Sequence, residues 1–136
     1  MVYTAYIVEA VRLASGKKNG ALREWHAADM GAAVLDELVT RSGIDGGQID
    51  EVICGCVDQV GEQAGNIGRM SVLSCKKIPE SVPGTSVDRQ CGSGQQAIAF
   101  ASQGVMSGVH DITVAMGVES MTRVPIGANI IYAHKA

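Results

Sequence analysis

One cysteine in this chain stands where a thiol could act on a carbonyl carbon. In the stretch VDRQCGSGQQAIAF (87–100), Cys91 follows a short strand-like segment and is trailed by Gly92 and Gly94. From Cys91 to Val109 no side chain carries a charge. A thiol at a helix N-terminus faces unpaired backbone N–H groups and the positive end of the helix dipole. Both favour thiolate, the reactive form. Arg89 adds positive charge if it faces the same way. The two glycines remove side chains that would crowd a bulky acyl group, and the same N–H groups could hold an oxyanion. Two other readings stay open. A buried structural thiol is the usual fate of a cysteine. The run GSGQQA also fits the G-x-G-x-x-G/A pattern of a dinucleotide loop, with Glu119 near the end of the next strand as the ribose acid. Against that reading, the preceding TSVDRQ is polar where a central Rossmann strand is a buried apolar run. The unit also comes third in the chain, and a cysteine sits where pyrophosphate would approach.

A nucleophilic cysteine works with a base, and the candidates are His26, His110 and His134. A helix of about 17 residues at ~1.5 Å each would put His110 roughly 25 Å from Cys91, so His110 cannot serve it. His26, in REWHAAD, reads as a surface or capping residue, and His134 lies in a tail without a clear element. No base is evident. Cys54 and Cys56 form C-x-C on a strand and point to one face. With Cys75 isolated they lack the further ligands a metal needs, so no metal site is expected and core packing is the default.

These residues need elements to place them. Thr4–Arg12 reads as a strand rich in β-branched and aromatic residues. Residues 29–43 read as an amphipathic helix, with Asp29 as N-cap and Gly43 as its stop. Strands are expected over Ile49–Gln59, Gly84–Gln90 and Asp111–Ser120, the last ending near Gly117. Helices are expected over Asn66–Lys76 and from Gly92 to about Ser107, and the tail from Met121 has no convincing element. Four strands alternating with three helices argue for an α/β layer with largely parallel strands. The helix after Cys91 has no charged face and so expects cover all round, more than this set of elements supplies. A covering layer is missing.

Composition narrows the classes. The chain has 136 residues with 46% hydrophobic and 18% charged, a globular balance with room for one core. A net charge of −3 with scattered Lys and Arg gives no nucleic-acid footprint. No secretory signal or membrane span is read, since the longest uncharged window holds several Ser and Gln. The expected compartment is cytoplasmic, where the four cysteines stay reduced.

The stretch VPGTSVDRQCGSGQQAIAFASQGVMSGVHDITVAMGVESMTRVPIG (82–127) resembles the thiolases, the acetyl-CoA acyltransferase family. The likeness extends upstream through VICGCVDQVGEQAGNIGR to AYIVEAVR and so covers nearly the whole chain. Its wording looks more like degradative lipid or sterol-type thiolases than biosynthetic ones. The resemblance implies the N-terminal half of a layered αβαβα fold with a mainly parallel mixed sheet. Residues 1–120 would form that incomplete half-domain, and 121–136 would begin the loop region that binds CoA. Cys91 matches the family's acyl-accepting cysteine, on a helix buried between two sheets, and its backbone N–H matches half of an oxyanion hole. The implied reaction is reversible thiolysis of a 3-ketoacyl-CoA, with coenzyme A as substrate and no other cofactor. The segment from Gly84 to Gln90 would pair with its twin in a homodimer, or within a tetramer. Asp88 stands where many relatives have asparagine, and RLASG (12–16) where many have R-T-P-x-G. Thiolases are about three times longer. The N-E-A-F, G-H-P and C-x-G motifs, which supply the other oxyanion hole, the activating histidine and the acid/base cysteine, are not in this sequence, and neither is the last strand of the first half. The resemblance therefore implies that this chain alone is catalytically incomplete, as a partial thiolase or as one subunit of a split one. A nucleotide-binding module remains the alternative from another class.

Overall fold

The computed structural model describes residues 3–133. In chain order the elements are α1 (Ala27–Ser42), β1 (Glu51–Gly55), α2 (Ile67–Ser74), β2 (Gly84–Val87), α3 (Ser93–Ser107), β3 (Thr113–Gly117) and α4 (Ala128–Ala133). β1 is central and pairs in parallel with β2 on one side and β3 on the other. The α/β class and the parallel sheet are as expected, with three strands among the described residues in place of four.

Side-chain alternation along the strands sorts the core into two layers. Val52 and Cys54 of β1, with Val114 and Met116 of β3, pack under α1 and α2 in a large cluster that includes Leu35, Ile67 and Val72. Ile53 points the other way and meets Ala97 and Ala101 of α3, with Val87 and Ala115 beside them. β1 is buried on both faces, as a central parallel strand between helices should be.

The helix ends follow local chemistry. α1 starts earlier than expected because His26, not Asp29, caps it: His26 Nδ1 accepts the Ala28 N–H at 3.1 Å. Asp29 instead sits in the first turn, where its charge suits the dipole. Gly43 ends the helix in the left-handed region at φ 68° and donates to the Val39 carbonyl. Asn66 caps α2 by accepting the Arg69 N–H at 3.1 Å and donates to the Gly84 carbonyl at 2.7 Å, which ties α2 to β2.

The first expected strand is a correction. Thr4–Arg12 forms no strand, and among the described residues none of its backbone groups bonds to the sheet. β-branched residues favour an extended backbone, but a strand needs a ladder partner. Tyr6, Ile7 and Val8 are 80%, 84% and 76% exposed. This segment, α1, α3 and the outer side of β3 line a cleft of ≈ 1430 Å³. The α3 helix is similarly bare. Ser93, Ala97 and Ala101 are buried, whereas Ile98, Phe100 and Met106 are solvent-exposed. Among the described residues nothing covers these three side chains of the charge-free helix. No helix among the described residues is long and apolar enough to cross a membrane.

A second correction is α4, in a tail expected to have no element. Its start is held by the buried carboxylate of Asp58, which accepts the N–H groups of Gly127 at 3.0 Å and Asn129 at 3.2 Å. The cap lies far away in sequence, so local pattern could not reveal it.

β3 is fixed at its entry by Asp50, whose Oδ2 accepts the Asp111 N–H at 2.7 Å and the Ile112 N–H at 3.0 Å. The bonds from Ile112 and Asp111, with the His110 charge nearby, hold this carboxyl below the usual carboxylate range. A depressed folded-state pKa stabilises the fold above the unfolded value, ~3.9, and the contribution is lost as pH falls through the folded value. Asp50→Asn is therefore expected to lower the urea midpoint at pH 7, and the gap to wild type should close below about pH 4. A gap that is constant from pH 7 to pH 3 would contradict this assignment.

Candidate active site

β2 ends at Val87 and α3 begins at Ser93, so residues 88–92 must turn the chain. Asp88 Oδ1 accepts the Gln90 N–H at 2.8 Å. Gln90 takes φ 45°, a left-handed conformation that costs a non-glycine residue about 1–2 kcal/mol. Surrounding bonds hold it there. The Gly92 N–H donates to the Arg89 carbonyl at 3.0 Å, and the Ser93 N–H to the Gln90 carbonyl at 3.0 Å. Ser93 Oγ donates to that same Gln90 carbonyl at 2.6 Å and accepts the Arg89 N–H at 2.8 Å.

Cys91 is exposed at the tip of this turn, one residue before the α3 N-cap, Gly92. Among the described residues no acceptor takes the N–H groups of Cys91, Gly94 or Gln95. A Cβ built on Gly94 would meet nothing within 4 Å, whereas one on Gly92 would come within 3.3 Å of the Arg89 carbonyl oxygen. Open space therefore lies over Gly94. The Arg89 guanidinium donates to the Gln96 side chain, which engages its charge along the first turns of α3. The buried-thiol reading of Cys91 does not hold, because its side chain faces out.

The other thiols differ. Cys54 and Cys56 are fully buried on the α1/α2 face, which bears out core packing. Burial pushes the Cys54 thiol up to about 12. Burial and the neighbouring Glu119 charge raise that of Cys56. Cys75 is raised by burial and by its bond to Asp36. Among the described residues no group of three or more His, Cys, Asp or Glu is placed to hold a metal ion. His26 is spent on capping α1 and lies 3.9 Å from Glu62. His110 packs against Gly104 and lies 3.8 Å from Glu51, at the end of α3 away from Cys91. His134 falls outside the described residues.

Glu119 closes off the nucleotide reading. Its Oε2 accepts the Val57 N–H at 2.7 Å, and its Oε1 accepts the Asp58 N–H at 3.2 Å and the Gln63 amide at 2.9 Å. Gln63 in turn donates to the Asp58 carbonyl and accepts the Ser120 N–H. The carboxylate braces the loop after β1 against the end of β3, so both of its oxygens are already engaged within the fold. Among the described residues β2 is also an edge strand, not the central strand that a dinucleotide loop follows.

A scan of known families matches the profile described as "Thiolase, N-terminal domain" to residues 5–135. The chain belongs to the thiolase family. It is 52% identical, over 91% of its own length, to the steroid 3-ketoacyl-CoA thiolase FadA6 of Mycobacterium tuberculosis, and spans 30% of that protein. It is 43% identical to the β-ketoadipyl-CoA thiolase of Acinetobacter baylyi, over 89% of this chain and 30% of that one. Among solved structures, the acetyl-CoA acetyltransferase of Bacillus anthracis superposes with a TM-score of 0.83 at 36% identity, covering 89% of this chain and 30% of the other. The chain thus spans about 30% of the length of these relatives, and its fold is that of the N-terminal part of a thiolase.

Sequence reading placed Cys91 but passed over Asp88, Gln90 and Ser93 as the frame of its turn. A signal was present. An Asp two residues before Gln90 and a Ser three after it are the spacings at which short polar side chains bond nearby backbone. Asp88, noted as a departure from asparagine, leaves this bond intact because the turn needs only an acceptor oxygen there.

Proposed function

We propose that this chain carries the nucleophile of an acyl-CoA acyltransferase, and that Cys91 is its acyl acceptor. The observation that carries the reading is the exposed thiol on a braced turn, beside three N–H groups that have no acceptor among the described residues. The Cys91 thiolate attacks the 3-keto carbon of a 3-ketoacyl-CoA. The carbonyl oxygen becomes an oxyanion facing the Cys91 N–H. The C2–C3 bond then breaks, its electron pair passes to the acetyl-CoA enolate, and that carbon takes up a proton. A second CoA thiol attacks the acyl-cysteine, releasing the shortened acyl-CoA and the free thiol. Coenzyme A is substrate throughout, with no other cofactor required. The resemblance to a steroid 3-ketoacyl-CoA thiolase supports a 3-ketoacyl-CoA as substrate, and a degradative role of the β-oxidation type in the cytoplasm is part of the same proposal.

The base, the second cysteine and the rest of the sheet belong to a complement on the same or a second polypeptide. The bare sides of α3, the unpaired Thr4–Arg12 and the cleft beside β3 support this. Residues 1–120 then form the incomplete half-domain and 121–136 open the CoA-binding region, where Met121, Ile126, Ile130 and Ile131 are exposed. The free edge of β2 fits a homodimer contact.

Incubation of the chain with acetyl-CoA, followed by peptide-resolved mass spectrometry, tests the reading. A slow acetyl thioester confined to Cys91 is expected, at a rate far below that of a complete thiolase. Acetylation spread over Cys54, Cys56 or Cys75, or steady-state acetoacetyl-CoA thiolysis by this chain alone at a normal thiolase rate, would overturn the acceptor assignment and the incompleteness respectively.

A further inference from the structure

The N–H of Cys91 and the carbonyl of Gln90 belong to one peptide unit. That unit is trans, so the two bonds point in opposite directions across a rigid plane. Anchoring the Gln90 oxygen therefore aims the Cys91 N–H. Two donors anchor it, both from Ser93: the backbone N–H at 3.0 Å and Oγ at 2.6 Å. The same Oγ accepts the Arg89 N–H at 2.8 Å, so the Asp88–Arg89 and Gln90–Cys91 peptide units close on one hydroxyl. Ser93 is 4% exposed, and its hydroxyl is hidden from the space in front of Cys91. Bonds to a peptide oxygen also polarise the unit and strengthen its N–H as a donor.

We propose that Ser93 is a positioning residue for acyl transfer, whose hydroxyl locks the Gln90–Cys91 peptide so that the Cys91 N–H is aimed at the oxyanion. This rests on the reading of Cys91 as acyl acceptor and adds to it the group that orients the donor. It concerns only steps that form a tetrahedral oxyanion. Acetyl transfer from acetyl-CoA is such a step: the thiolate sulfur bonds to the acetyl carbon, the C–S bond to CoA breaks, and CoA leaves as its thiolate. Alkylation by iodoacetamide is not, since sulfur displaces iodide at a saturated carbon and no carbonyl oxygen takes up charge.

The test measures both reactions at Cys91, by peptide-resolved mass spectrometry, on the full chain and on Ser93→Ala, Ser93→Thr and Ser93→Val. Removing one oxyanion donor from an acyl-transfer enzyme lowers the rate about 10²–10³-fold. Loss of aim is expected to slow acetylation in Ser93→Ala by at least about tenfold on that scale, with iodoacetamide alkylation changed less than about twofold. Ser93→Thr retains the hydroxyl and should keep near-wild-type acetylation, while Ser93→Val, of the same shape without it, should behave as Ser93→Ala. The threonine and valine pair decides the matter if the alanine variant does not fold. A purely structural serine would move both reactions together, and that result overturns the proposal, as does equal acetylation in the threonine and valine variants. N-acetylcysteine is the reference for the underlying reading. If wild-type Cys91 acetylates no faster, relative to its alkylation, than that free thiol, the acceptor assignment fails and Ser93 with it. If wild type exceeds the reference and the variants match wild type, only the Ser93 proposal fails.

Discussion

Gly55→Ala is expected to destabilise the chain by about 3 kcal/mol or more, at or beyond the upper end of the range for overpacked sites. Gly55 ends the central strand β1 directly beneath the first turn of α3. A Cβ there would lie 2.3 Å from the Ser93 carbonyl carbon, 2.4 Å from the Gly94 nitrogen and 2.5 Å from the Ser93 oxygen. All three are backbone atoms, so no rotamer change relieves the clash. Either β1 or the start of α3 must move, and the start of α3 carries the Cys91 turn. The melting temperature should fall by roughly 10 °C for a domain of this size, and Cys91 reactivity should change with it. Gly94→Ala is the matched control. The same first turn is involved, but a Cβ at Gly94 meets nothing within 4 Å, and alanine is the better helix former by up to ~1 kcal/mol. Its stability should be equal or higher, while acyl transfer at Cys91 slows because the new methyl group occupies the open space. Thermal melts of both variants give the answer. Equal stability in Gly55→Ala and wild type would mean that α3 does not sit on β1 as described.

The elements that could be read in the sequence are those whose signals are local. The α1 stop at Gly43, the Asn66 start of α2 and the charge-free α3 each carry their cap or pattern within a few residues, and each lies where expected. Boundaries moved where a neighbour in space took over. His26 displaced Asp29 as cap because its ring reaches the Ala28 amide. α4 went unread because its cap is Asp58, brought beside it by the fold. Thr4–Arg12 failed for the converse reason: the composition suits a strand, but a ladder partner is absent among the described residues. In the site, the place of Cys91 just before a helix was legible because two glycines and a charge-free run follow it, and its role as acyl acceptor is the proposal made above. Glu119 entered only the dinucleotide alternative, and spacing along the chain cannot show that its oxygens already serve Val57, Asp58 and Gln63.

Cys91→Ser is expected to abolish formation of the acetyl adduct while leaving the fold in place. The fall in adduct rate should be on the order of a thousandfold or more, the scale on which loss of an enzyme nucleophile acts. An alcohol ionises far less readily than a thiol, and no histidine among the described residues stands near enough to deprotonate it: His26 and His110 are both engaged elsewhere. Stability should change by less than about 0.5 kcal/mol, as for surface substitutions that touch no cap or core contact, because the Cys91 side chain is exposed. The turn itself is made by Asp88, Gln90 and Ser93, none of whose bonds involves the sulfur. Intact-mass measurement after incubation with acetyl-CoA, beside a urea titration, checks both halves. Acetylation in the Cys91→Ser chain at the wild-type rate would remove Cys91 from the chemistry. Loss of the fold would instead make the cysteine structural, which its exposure argues against. The three remaining thiols provide the internal contrast. All are raised by burial, so in the native chain they should stay unmodified whether or not Cys91 is present, and their labelling should rise only on unfolding.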